Sequence, residues 1–140
     1  MGRSTFRVFT VLLALMAGAC SSQLDNFPTT PDPVRVTQTF SGTININGAA
    51  THPFFTSATG AVVATLTSLG EDPPASIGLS MGTFAGATCS VGTGLYNDKA
   101  VVSSVITGTV ATLGGSLCVR IYDVGSLTQS VSYEIKVEHP

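Results

Sequence analysis

Gly78-Leu79-Ser80-Met81-Gly82 matches G-x-S-x-G, the turn that presents a nucleophilic serine in the α/β-hydrolases. Asp123 and His139 follow it in the serine, acid, histidine order of that fold. The chemistry would be acyl transfer through Ser80. The surrounding residues argue for something else. A nucleophile elbow needs a strand, a sharp turn and then a helix, but Thr83-Phe84-Ala85-Gly86-Ala87-Thr88 is glycine-rich and not helical. Ile77, Leu79 and Met81 alternate with Gly78 and Ser80, so the stretch reads as a strand with Ser80 outward. His139 is penultimate and is expected to fray, which would spoil a general base. The expectation is therefore no catalytic set. A serine hydrolase using Ser80 is kept as the enzymatic alternative.

The other chemistry-bearing residues are scattered. His52 lies before Pro53 and is expected at a strand edge, and two histidines this far apart make no zinc signature. Glu71, Asp72, Asp98 and Asp123 are the acidic residues in turn-like stretches. Calcium takes six to eight oxygen ligands, so this set predicts no metal site and no cofactor. Tyr96, Tyr122 and Tyr133 could form a binding stripe, because exposed aromatic rings anchor ligands. Tyr133 shares the parity of Val131, Ile135 and Val137 and is expected in the core, whereas Tyr122 falls on the parity of Arg120. The absence of Trp weighs against a carbohydrate-stacking platform. Gly92-Thr93-Gly94 lacks a lysine and a following helix, so it reads as a turn and not as a phosphate cradle.

Cys20 closes a distinctive leader. Arg3 and Arg7 precede an apolar run over residues 8–16, and Ala17-Gly18-Ala19 supplies small residues before the cysteine. The apolar run has signal-peptide length and is too short to span a bilayer. The arrangement resembles a bacterial lipoprotein signal, with Ala17 where Leu is usual. The resemblance implies a signal peptide over residues 1–19 and a lipid anchor on Cys20. Residues 20–33, with Pro28, Pro31 and Pro33, read as an extended tether. Ser21 after the cysteine resembles the outer-membrane sorting default of Gram-negative lipoproteins. If Cys20 carries lipid, Cys89 and Cys118 have a single possible pairing, and an oxidising compartment permits it. Closing that loop contributes about 3–4 kcal/mol. Cys118 has the opposite parity to Leu117, Val119 and Ile121, so the bridge is expected to pin a loop against the outer face of a strand.

Residues 34–140 must position all of this, and they have the size of one domain. Residues 20–140 carry Arg35, Lys99, Arg120 and Lys136 against eight carboxylates, four against eight, hence a net charge of −4. With no basic cluster, this argues against nucleic acid and against charge-driven membrane binding. Val, Thr, Gly and Ser dominate, which favours strands. Leu117, Val119 and Ile121, then Val131, Tyr133, Ile135 and Val137, alternate strictly and read as an antiparallel pair. Upstream, Val36, Phe40 and Ile44 share a parity that Gly42 interrupts, suggesting a bend or bulge, and Asn47-Gly48 signals a turn. A run near His52 to Thr56, a buried strand near Ala61 to Leu69, and a β-branched run from Ala100 to Val110 follow. Seven or eight such strands predict an all-β, jelly-roll-like antiparallel sandwich.

Phe40-Ser41-Gly42-Thr43-Ile44, His52-Pro53-Phe54 and Gly60-Ala61-Val62-Val63-Ala64-Thr65-Leu66 resemble the first half of a bacterial pre-peptidase C-terminal (PPC) domain. Cys118-Val119-Arg120-Ile121-Tyr122-Asp123-Val124-Gly125 and Val131-Ser132-Tyr133-Glu134-Ile135-Lys136-Val137 resemble its closing strands. The resemblance implies a non-catalytic sandwich that in relatives accompanies secreted peptidases and in some binds calcium, collagen or polysaccharide. Here the leader and tether stand where a peptidase would precede it. The expected function is a non-enzymatic, lipid-anchored envelope module that binds a protein or glycan. The alternative is a structural lipoprotein that associates with itself.

Overall fold

The computed structural model describes residues 34–140. The leader, Cys20 and the tether lie outside the described residues. Eight strands follow in order: β1 Val36–Ile44, β2 Ala49–Thr56, β3 Gly60–Ser68, β4 Ile77–Ala85, β5 Thr88–Ala100, β6 Val105–Val110, β7 Gly115–Tyr122 and β8 Val131–His139. They form two four-stranded antiparallel sheets, with orders β1-β8-β3-β6 (sheet A) and β2-β7-β4-β5 (sheet B). The pairs β1·β8, β2·β7, β3·β6 and β4·β5 are nested, as in one long hairpin rolled on itself. The further pairs β3·β8 and β4·β7 join the rolled hairpin into two sheets. This is a jelly-roll sandwich, and its two inner faces make the core.

The C-terminal strands organise the fold differently from the expectation. β7 and β8 do not pair with each other. Each sits inside its own sheet, β7 between β2 and β4, β8 between β1 and β3. Alternation fixes which face is buried but says nothing about the neighbour. Val119 and Ile121 meet Tyr133, Ile135 and Val137 across the core, together with Val62, Leu66, Leu79 and Met81. Each fully buried Leu or Ile contributes about 1.5–3 kcal/mol of burial free energy. The connecting segment is held by Asp123, whose Oδ1 accepts the Gly125, Ser126 and Leu127 N–H groups at 2.8, 2.9 and 3.2 Å. Its Oδ2 accepts the Asn47 N–H at 2.8 Å, tying this segment to the β1–β2 turn.

Other expectations change in detail. β1 shows no bulge at Gly42, because its register with β8 runs unbroken from Val36 to Ile44. A Cβ at Gly42 would meet the Tyr133 hydroxyl at 2.7 Å, so the glycine leaves room for a phenol. The run from Ala100 to Val110 is two strands. Ala100 ends β5 in sheet B, and a corner with Ser103 at φ 74° carries the chain to β6 in sheet A. Thr83 to Asp98, hard to assign from the residues, is the end of β4, a two-residue turn at Gly86-Ala87 and most of β5. Pro53 lies on β2, an edge strand, where a missing N–H is tolerated.

Candidate functional site

The outer face of sheet B carries the residues with chemistry. Leu79 and Met81 enter the core, so Ser80 between them points to the outer side. Its register partners are Arg120 on β7 and Tyr96 on β5, and cross-strand partners share a face. The next row pairs Gly78 with Tyr122. A Cβ at Gly78 would run into the Tyr122 ring, so the tyrosine lies flat over the glycine. That posture carries its hydroxyl to Asp98 on β5, whose carboxylate accepts the hydrogen bond. Arg120 holds its guanidinium carbon 5.2 Å from the Tyr122 ring centroid, a cation–π contact.

The result is a row of mixed character. Tyr96 is 58% exposed, Arg120 and Tyr122 are half-buried, and Asp98 is exposed. Burial and the Asp98 carboxylate push the Tyr122 phenol up to about 12, so it stays neutral and donates. Among the described residues the only ion pair is Lys136–Glu138, at 3.4 Å, which leaves Arg120 without a carboxylate partner. Ser80 lies on the outer side as expected, yet it is 1% exposed and its Oγ has no hydrogen-bond partner among the described residues. An unsatisfied buried hydroxyl costs about 1–3 kcal/mol.

The hydrolase pattern therefore has a different cause. Gly78 is the bed for Tyr122. At Gly82 a Cβ would strike the Ser90 carbonyl, so that glycine admits the backbone of β5. β4 continues through the pattern to Ala85 without a turn or helix. Ser80 is not joined to its sequence-suggested partners. Asp123 is engaged by four backbone N–H groups, which hold its carboxyl below the usual range, the Asn47 N–H foremost. His139 does not fray. It is 2% exposed at the end of β8 in sheet A, with its ring 5.3 Å from Phe54. Its Nε2 has no partner, and its Nδ1 lies 3.1 Å from the Pro140 carbonyl. Ser80 faces out of sheet B while His139 lies in the interior.

The remaining candidates are placed as follows. His52 is on the edge strand β2, half-buried, stacked on Phe40 with 5.0 Å between centroids, and 2.7 Å from the Tyr133 hydroxyl. Burial lowers its pKa from 6.5. Tyr133 is core, as its parity predicted. Glu71 and Asp72 are exposed in the β3–β4 loop, and no group of three or more potential metal ligands forms among the described residues. Gly92-Thr93-Gly94 is part of β5, where the register slips between Val91 and Tyr96.

Cys89 and Cys118 form a disulfide with a sequence separation of 29. Cys118 follows Arg120 on the outer side of β7, paired with Gly82, in agreement with its parity. Its partner is not in a loop: Cys89 is the second residue of β5. β4 lies between β5 and β7 in the sheet, so the bridge spans the outer face of β4 beside Gly82 and buries Cys118 fully. Residue patterns alone missed the Gly78–Tyr122–Asp98 arrangement. The available signal was a glycine in a strand, which marks the close approach of another group.

No family model matches the chain, and no curated protein matches its sequence. The fold and the outer face together define a class, a disulfide-linked jelly-roll sandwich with one chemically furnished sheet face.

Proposed function

We propose that this chain is a non-enzymatic binding module of the bacterial cell envelope. A lipid on Cys20 holds it, in our reading, to the outer membrane of a Gram-negative cell, and residues 20–33 act as a spacer. The module presents the outer face of sheet B to an envelope or extracellular protein or glycan. The observation that carries this reading is the row Arg120–Ser80–Tyr96 with Tyr122 beside it. An exposed aromatic ring beside a cation without a carboxylate partner among the described residues supplies the elements of a recognition surface. The resemblance to PPC domains is compatible with the sandwich and adds the expectation of a partner outside the cell.

Crosslinking in intact cells, with recovery through a C-terminal tag and mass spectrometry, tests the reading. The same sample reports whether the Cys20 peptide carries acyl mass. A dominant partner whose capture drops at least ten-fold in a Tyr96→Ser, Arg120→Ala variant is the expected result. Capture unchanged in that variant would remove the outer face from the proposal. Self-association is the second reading. It is supported by Phe55 and Leu113, 60% and 78% exposed, on neighbouring segments where the Phe55 ring lies beside Gly114. Sedimentation of the full chain separates the two, since a monomer at high concentration excludes the second.

A further inference from the structure

A cavity of about 320 Å³ opens between the edge strands β5 and β6, at the side of the sandwich away from β1 and β2. Its floor is core: Val62 and Met81 are buried. Its walls are the half-buried Leu95, Val110 and Leu117. Its rim is four exposed hydroxyl residues, Thr83, Ser90, Thr93 and Thr109. Among the described residues no charged side chain lines it. Packed interiors leave few voids larger than a water molecule, and an apolar cavity of ~150 Å³ already takes up benzene. This cavity is about twice that size.

Its origin is in the strand register. Val91 pairs with Gly82 and Tyr96 with Ser80, so β5 spends five steps where β4 spends two. The surplus residues bow away from β4 and leave space beneath them. Leu95 leans across that space. A Cβ at Gly92 would meet its Cδ1 at 2.7 Å, and a Cβ at Gly108 would meet Leu95 Cδ1 at 3.3 Å and Met81 Cε at 2.9 Å. The glycines keep the slot open, and Leu95 only partly fills it.

We propose that this slot binds a single-chain fatty acid, its alkyl tail against Met81 and Val62 and its carboxylate at the hydroxyl rim. The neutral apolar floor suits an uncharged chain, because burying a charge there would be costly. Thr83 and Ser90, register partners on the inner face of β4 and β5, can donate hydrogen bonds to a carboxylate that remains in water. Val91, which lines the mouth and is 43% exposed, continues the apolar wall to the surface. None of the outer-face residues Arg120, Ser80, Tyr96 or Tyr122 lines the slot, so the two sites stand or fall separately.

The test is photolabelling of the full-length chain with dodecanoic acid carrying a tail diazirine, mapped by mass spectrometry. The expected result is label concentrated on residues 90–95 and 108–110, and displaced at least ten-fold by excess dodecanoic acid but not by dodecyl phosphocholine. Gly108→Leu should abolish the label by filling the slot. Val91→Trp, a rim change at an exposed position that leaves the core untouched, should reduce it at least five-fold if the first variant does not fold. Label spread over exposed apolar residues such as Phe55 and Leu113, label that excess acid does not displace, or label undiminished in Val91→Trp would overturn the proposal. Displacement by dodecyl phosphocholine as effective as by the acid would also overturn it, assigning the slot to lipid tails in general.

Discussion

The two sheets have the same strand number and nested topology, but their outer faces differ. On sheet A, β8 turns Ser132, Glu134, Lys136 and Glu138 outward, flanked by Thr37, Thr39, Ser41 and Thr43 on β1 and by Thr65 and Thr67 on β3. Thr67 donates to Glu134, and Lys136 pairs with Glu138. None of these outward groups is both buried and unsatisfied among the described residues. On sheet B the outward row holds two tyrosines, an arginine, a buried unsatisfied serine and a disulfide. Sheet A slips register once, between Leu66 and Ser68, whereas β4 and β5 slip twice. Register irregularity and uncommon side chains gather on one sheet while the other keeps a plain solvated surface. Local rules are broken on the face that carries chemistry and kept on the other, as expected where one region is given over to function.

Removing the disulfide should expose this difference most strongly. Replacing Cys89 and Cys118 together by Ala is expected to lower stability by about 3–4 kcal/mol, the loop-closure value for a separation of 29. Denaturant unfolding measures the loss. Amide exchange should show β4 and β5 opening first while β1·β8 stays protected. Equal loss of protection in both sheets would mean that they open as one unit and that the asymmetry is only on the surface.

A matched pair of glycines sharpens the point. Gly78→Ala on sheet B must displace the whole Tyr122 ring and is expected to cost about 1–3 kcal/mol. Gly42→Ala on sheet A would meet the Tyr133 hydroxyl at 2.7 Å and its ring from 3.0 Å, less severe contacts than the 2.1–2.4 Å at Gly78, and should cost less than the Gly78 variant although His52 holds that hydroxyl at 2.7 Å. Thermal unfolding of both variants decides it. A costlier Gly42 variant would mean that the core packing of Tyr133 yields less than the outer-face packing of Tyr122.

The residues made much of this fold legible and left its wiring hidden. An apolar run marked β3, and alternation marked β4, β7 and β8 and put Tyr133 inside. It could not show that β7 and β8 lie in different sheets, because period-two patterning reports a face and not a neighbour. The parity of Cys118 correctly gave its side of β7. The span across β4 was invisible, since it depends on β5 crossing close to the Gly82 backbone. Tyr122 could be placed with Arg120, but its posture over Gly78 depends on a register that only pairing reveals. The cavity was hidden for the same reason: Gly92-Thr93-Gly94 reads as a turn until three surplus residues are seen in a strand.

Between the sheets, at the β1–β2 edge, Tyr133, His52, Phe40, Phe54 and His139 form a chain of neighbouring rings. Burial holds the His52 pKa below its ordinary 6.5. The folded state therefore binds fewer protons than the unfolded one in this range. The stabilising contribution is present above pH 6.5 and is lost as pH falls from there through the lower folded value. Tyr122, Asp123 and Tyr133 are also shifted, but they titrate well away from this window. Stability measured between about pH 7 and pH 5 should decline, and His52→Gln should flatten the decline. An unchanged slope in that variant would assign the effect elsewhere.

The smallest effect belongs to the plain face. Lys136 and Glu138 are both partly exposed on β8, and their ion pair at 3.4 Å is the only one among the described residues. Exposed pairs of this kind contribute about 0–1 kcal/mol, because water screens the attraction and both side chains lose freedom. Lys136→Ala should therefore change stability by less than about 0.5 kcal/mol and leave partner capture untouched. By contrast, Arg120→Ala on the other face removes a cation stacked on Tyr122 and should impair capture with a comparably small change in stability. The two arginine and lysine variants, compared for stability and capture together, separate a face that only solubilises the sandwich from one that recognises something. Loss of capture in Lys136→Ala would move the binding surface to sheet A, whatever the chemistry of sheet B suggests.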